Sequence, residues 1–328
     1  MKRFLLLISF ALIALASMAQ TGQIAILSHQ GEMRVFYGSI ALREAYDNAQ
    51  VGDVITLSSG SFQAVDFQKA VTVRGAGINV GEDGKNILPT YIAGETKIHL
   101  PEEMEDRLSF EGIIFTDRVE WGLVKQLQFL KCIFRGNIWA GDGDLARHQF
   151  KTSSYTFIHC YLIGQACLNV GNSLFVNSVL TQWYRGRQYY VGQSFNNCII
   201  LPKETMTPNI DVTNSIVLKS SNNVQYIEDA TANYVIVVDT ERDYYKDNIT
   251  NAVYVDSVEK LFKEDSFYQL TDYALEILGA DGTQLGIYGG NIPFSAVPTG
   301  PKVKKFNVAS KTTADGKLSV DIEIDNAE

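Results

Sequence analysis

One short pattern recurs along the middle of this chain, and its spacing excludes most folds. It is an aromatic or aliphatic residue, two residues, a small residue, one residue, and a second aliphatic or aromatic residue. It occurs as Phe110-Glu-Gly-Ile113-Ile-Phe115, with Ile113 in the small position, then as Phe129-Leu-Lys-Cys132-Ile-Phe134 and Phe157-Ile-His-Cys160-Tyr-Leu162. Phe175-Val-Asn-Ser178-Val-Leu180, Phe195-Asn-Asn-Cys198-Ile-Ile200 and Val212-Thr-Asn-Ser215-Ile-Val217 continue it. The fourth positions step by 19, 28, 18, 20 and 17 residues. Looser copies follow at Asn233-Tyr-Val-Ile-Val237 and Asn251-Ala-Val-Tyr-Val255, with Asn214, Asn233 and Asn251 in step. Each unit reads as a short strand bounded by polar turns. Helical-pair repeats need more than about 30 residues, and the leucine-rich consensus is missing. What remains is a coil of parallel strands, one turn per repeat, with equivalent residues stacked about 4.8 Å apart. Phe then stacks on Phe and Cys on Ser. Asn177, Asn197 and Asn214 form a ladder, with His159 as a substitute in it.

The entry to the coil supports this. Ser39 to Gln50 reads as a short amphipathic helix with Ala41, Leu42, Ala45 and Ala49 on one face. Val51-Gly-Asp-Val-Ile-Thr-Leu-Ser-Ser-Gly-Ser-Phe62 follows. Ala49, Gly52, Asp53, Ile55, Leu57, Gly60 and Phe62, in that order, resemble the opening of right-handed parallel β-helix proteins of the pectin-lyase-like superfamily. The resemblance covers about residues 39–255. It implies an all-β, right-handed parallel β-helix of about ten turns with an N-terminal capping helix, and says little about activity.

The two ends read differently. Met1-Lys2-Arg3, an apolar run to Leu15 and the small residues Ser17 and Ala19 form the pattern of a secretory signal peptide over residues 1–19. No other segment is long and apolar enough to span a membrane. The expected location is therefore periplasmic, cell-surface or extracellular. Residues 20–290 are assigned to the coil and its N-terminal cap, and 291–328 to a linker and a small β hairpin. Ser257 to Glu264 suggests a short helix with Ser257 as its cap. Gly279 to Gly290 is similar to the closing segment of secreted β-helix proteins of Bacteroidetes type. Pro293, Pro298 and Pro301 mark the linker. Lys305–Ser310 and Lys317–Ile324 pair around Asp315-Gly316, and a lone hairpin of this kind asks for a protein partner or the coil to pack on.

Charge narrows the partners. Lys and Arg number 28 against 37 Asp and Glu, a net −9 with no basic block, which disfavours nucleic acid. Four Cys in 328 residues do not make a disulfide scaffold; Cys132 and Cys160, on consecutive turns, read as buried thiols of the stack.

Candidate chemistry gathers in the middle repeats. The 28-residue step carries an insertion containing Trp139, Asp142, Asp144, Arg147 and His148. Trp121, Trp139 and Trp183 lie 8, 7 and 5 positions after Ile113, Cys132 and Ser178, which suggests one side of the coil. Tyr184, Arg185, Arg187 and Tyr189 adjoin the last of them. Flat aromatic faces stack on sugar rings, and Arg forks hold carboxylates. The expected site is a lateral aromatic and Arg groove that binds a polysaccharide or glycoconjugate without catalysis and without a cofactor. The alternatives are a polysaccharide lyase or glycoside hydrolase, and a structural or adhesive surface protein. A lyase would need a basic residue and Ca²⁺, for which Asp142 and Asp144 offer oxygens, although the same pair also reads as a solvated turn. No catalytic motif of the superfamily transfers onto this chain residue by residue.

Overall fold

The computed structural model describes residues 22–101, 103–122, 124–141, 153–168, 172–184, 192–204, 206, 209–218, 230–238 and 249–299, with the backbone of 302–308 and 320–325. Residues 1–19, read from the sequence as a signal peptide, lie outside them. Among the described residues the chain is mostly β, a parallel β-solenoid of about eight turns with three short helices. That is fewer than the roughly ten turns expected.

Each turn contributes strands to up to three stacked parallel sheets. The first contains Leu108–Glu111, Gln126–Leu130, Ser154–Ile158, Asn172–Val176 and Gln193–Asn196. The second contains Thr90–Ala93, Ile113–Phe115, Ile133–Phe134, Tyr161–Leu162 and the start of Val179–Tyr184. The third contains Thr96–Ile98, Val119–Trp121, Ile138–Ala140 and Ala166–Leu168. In the last turns Ile210–Val217, Thr231–Val238 and Ile249–Val255 each run through both the first and second sheets. Helix α1 (Ala41–Asn48) buries Ala41, Leu42, Ala45 and Tyr46 beside the first strands.

The register aligns the repeats as the spacing requires. Phe110, Phe129, Phe157, Phe175 and Phe195 stack in order, with centroids 5.3, 5.2, 4.6 and 4.9 Å apart and near-parallel planes. All five are fully buried. Each gains about 1.5–3 kcal/mol from burial, and stacking adds to that. Beside them runs the small-residue ladder. Ser178 Oγ accepts from Cys160 N of the preceding turn (3.0 Å) and donates to Val176 O (2.9 Å), with Phe157 O at 3.3 Å; Ser215 Oγ likewise accepts from Cys198 N (2.9 Å) and donates to Thr213 O (2.7 Å), with Phe195 O at 3.5 Å. Small polar residues therefore bond one turn to the next inside an apolar core. Cys132, Cys160 and Cys198 are unbridged thiols, and burial pushes those of Cys160 and Cys198 up to about 12.

Between the first and second sheets the chain turns at one residue held at positive φ. Gly112, Lys131, His159, Asn177, Asn197, Asn214, Tyr234 and Asn251 occupy this corner, with φ between 45° and 65°. Asn tolerates this region better than other residues with side chains. The corner of the next-to-last copy is Tyr234, since Thr213 pairs with Asn233 and Ser215 with Val235. Asn233 therefore lies on the strand, where its Oδ1 accepts from Asn251 Nδ2 (3.0 Å) and Thr250 Oγ1 (2.8 Å).

The corner side chains serve a different partner from the one expected. Rather than chiefly bonding to each other, they hold the C-terminal segment, which runs back along the coil. Asn214 Oδ1 accepts from Ala280 N (2.9 Å), and Asn177 Nδ2 donates to the carbonyls of Ile287 and Gly289 (2.8 Å each). His159 Nε2 meets Ile292 O at 2.9 Å, and Lys131 Nζ donates to Val297 O. Glu111 accepts from Thr299 N (2.8 Å). Beneath this strap, Leu261, Leu270, Leu285, Ile287, Phe294 and Ala296 cover the outward row Ile114, Ile133, Val179, Ile199, Ile216 and Ile236 of the second sheet. Residues 291–299, which the prolines mark as a linker, are thus packed against the coil. The helix expected over 257–264 is a single 3₁₀ turn, Val258–Lys260, and Ser257 makes no capping bond. Lys302–Val308 and Val320–Asp325 form the antiparallel hairpin; the Asp315-Gly316 turn lies outside the described residues.

Two outcomes follow. Phe157→Ala removes a ring stacked on both sides and should cost about 3–5 kcal/mol in urea unfolding. The second concerns His159, whose Nε2 carries its proton toward a carbonyl while Nδ1 is buried without a partner. Burial pushes this imidazole below the ordinary histidine range, with Lys131 acting in the same direction. As pH falls below about 6.5 the unfolded chain takes up the proton first, so stability is lost on acidification. His159→Asn should flatten that part of the pH–stability curve.

Candidate functional site

The third sheet places the tryptophans. Trp121 pairs with Ile98 and Ala140, and Trp183 pairs with Ala166, so both stand on inward rows. They are 2% and 0% exposed. Trp183 Nε1 donates to Gln193 Oε1 at 2.8 Å inside the core. Trp121 packs edge-on to Tyr155, whose hydroxyl burial pushes up to about 12. Neither indole presents a face to a ligand, which corrects the expected three-tryptophan groove. Trp139 is one residue out of step with Trp121 and so points outward, 41% exposed. Its Nε1 donates to Gly141 O (2.8 Å), which fixes the ring against its own turn.

The outward row of this sheet runs Asp66, Lys97, Glu120, Trp139, Cys167, Tyr184. Tyr184, half-buried, is thus on the same face as Trp139. Arg118 bridges Glu95 (2.5 Å) and Glu120 (2.7 Å), while Lys97 lies 3.5 and 3.7 Å from the same two carboxylates. The hydrogen bond from Arg118 holds the Glu95 carboxyl below its usual range, and Thr116 and Gly94 N–H do the same for Asp117. Lys97 and Arg118 therefore pin the Glu120 carboxylate beside the Trp139 ring.

At the exit of the sheet lies an open cleft of about 290 Å³ lined by His99, Glu120, Trp121, Gly122, Trp139 and Gly141. His99, Gly122 and Gly141 each follow the third-sheet strand of three successive turns, so the cleft runs along the coil axis. A Cβ at Gly122 would meet nothing within 4 Å, so the floor there is open. The arrangement offers one aromatic face, one fixed carboxylate and one imidazole across turns about 4.8 Å apart.

Sequence reading did not single out His99, Glu120, Gly122 or Gly141. Their signal is their register: Glu120 pairs with Trp139, and the other three stand at equivalent positions of neighbouring turns. Arg147, His148, Arg185, Arg187 and Tyr189, with the metal candidates Asp142 and Asp144, lie outside the described residues. Among the described residues no group of three or more His, Cys, Asp or Glu is placed to share a metal ion, and no helix is long and apolar enough to cross a membrane. No family model, curated protein or solved structure matches the chain.

Proposed function

We propose that the outer face of the third sheet binds a polysaccharide, with Trp139 as the stacking platform and the Glu120 carboxylate as an acceptor for sugar hydroxyls. The observation that carries this reading is the exposed Trp139 ring standing over an axial cleft beside a pinned carboxylate. A ligand that repeats along one direction suits a surface that does the same. The turn spacing, about 4.8 Å, is of the order of one sugar residue in an extended glycan. Tyr184, on the same outward row, extends the platform. The reading treats the chain as an exported, non-catalytic binder with the right-handed coil of the pectin-lyase-like superfamily, a resemblance that rests on Ala49 to Phe62. The signal-peptide pattern of residues 1–19 supports export.

Migration through gels impregnated with neutral and acidic polysaccharides tests it. The wild-type chain should be retarded by at least one polymer, and Trp139→Ala should weaken that binding about tenfold or more, roughly 1.4 kcal/mol, with an unchanged melting temperature. Unchanged retardation in Trp139→Ala overturns the site, and a cleared zone in the stained polymer makes the protein an enzyme. Trp183→Ala should instead lower stability by about 3–5 kcal/mol, because its ring is core. Export has its own check: the N-terminal residue of the secreted protein, read by mass spectrometry, should be Gln20.

A further inference from the structure

The first sheet does not end at the first parallel turn. Ile24–His29 pairs antiparallel with Val54–Leu57, and Glu32–Tyr37 pairs antiparallel with Ile24–His29. Among the described residues Glu32–Tyr37 has no strand on its other side. It is an open edge at the N-terminal end of the coil. Such edges are normally blocked by proline, a bulge or charges. This one has an unbroken register and carries Met33, Val35 and Tyr37 on its outer face, 73%, 46% and 67% exposed.

The direction of its backbone groups follows from the turn. Gln30 and Gly31, both at positive φ (48° and 90°), make a two-residue loop that His29 and Glu32 flank. In such a hairpin the flanking pair is hydrogen-bonded, and bonded pairs then alternate. Glu32, Arg34 and Phe36 accordingly direct their backbone groups to the neighbouring strand. Gly38 keeps the parity, donating its N–H to Gln23 O at 2.8 Å. Met33, Val35 and Tyr37 direct theirs to the open side.

We propose that this edge pairs with the same edge of a second copy, antiparallel, about a two-fold axis at Val35, joining two coils end to end. In that register Val35 faces Val35, and Met33 faces Tyr37 of the second copy. Every outward N–H and C=O of the three residues gains a partner. On the other face Arg34 stands opposite Phe36 of the second copy, an arrangement a guanidinium and a ring favour. Shifting the axis to Arg34 would oppose two guanidinium groups and leave Tyr37 facing the loop at Gly31. Shifting it to Met33 would leave only a three-residue overlap before the loop. Charge and geometry together select Val35. A pairing this short buries less than the roughly 1,000 Å² of a permanent interface, so the dimer depends on concentration.

Sedimentation of the purified protein over a micromolar to millimolar series tests this. The expected result is a monomer–dimer equilibrium that Val35→Lys weakens about tenfold or more. Val35→Pro should abolish it, since proline removes an N–H that the hairpin itself does not use. Both variants should keep the wild-type circular dichroism spectrum. Under oxidising conditions Val35→Cys should cross-link to a dimer, as paired Cα atoms lie about 5.5 Å apart, while Arg34→Cys and wild type should not. A single monomer mass throughout, growth beyond a dimer, dimers that survive both Val35→Lys and Val35→Pro, or cross-linking by Arg34→Cys in place of Val35→Cys overturns the proposal.

Discussion

From Gly112 onward, each described turn of the coil changes direction between the first and second sheets at one residue with φ between 45° and 65°. A single-residue corner leaves no slack. It fixes where the first strand ends and the second begins, so the Phe position and the small position keep their separation from turn to turn. Only then can aromatic rings stack face to face and hydroxyls reach the backbone N–H of the preceding turn. It also aims the corner side chains out of the coil, and four of them, Lys131, His159, Asn177 and Asn214, became the attachment line for residues 280–297. The core, the ladder and the strap thus share one backbone constraint.

That constraint also explains what could be read from the sequence. Phe129, Cys132, Asn177 and Ser215 announce their positions because the corner preserves their spacing. Beyond the second sheet, the turn to the third varies, and there sequence reading loses its phase. Offsets of 8 and 7 residues differ by one, which in a strand is the difference between inside and outside. Trp121 and Trp139 therefore face opposite ways. Trp183, at an offset of 5, returns inward because the register slips between Leu180 and Trp183. Likewise Asn233 and Tyr234 compete for one corner, and only the pairing of their neighbours decides it. The strap stayed hidden for another reason. Its glycines and prolines have the composition of a linker, and its binding line is assembled from turns far apart in sequence.

The candidate site shows the same economy. Trp139 is exposed because strand alternation leaves it no place inside, and Gly122 leaves the space beside it unfilled. Arg118 from the same turn and Lys97 from the preceding one then hold Glu120 in position. Among the described residues, each group of this surface stands on a strand, beside one in the same turn or directly after one. Recognition on such a face spends little conformational entropy of the protein.

Stacked repeats ordinarily unfold piecemeal, because each turn touches only its neighbours. Here Thr299 is bonded to Glu111, Val297 to Lys131 and Ser295 to Asp83, across 188, 166 and 212 residues of chain. These long-range ties connect the last residues of the fold to its early turns. Fraying one end then also loosens the middle, so the coil should melt as one unit. During synthesis the early turns can stack as they emerge, but their apolar outer face stays bare until the end of the strap has been made. The time between those two events is the chain's interval of greatest exposure to aggregation, and the vectorial order of translation makes it unavoidable.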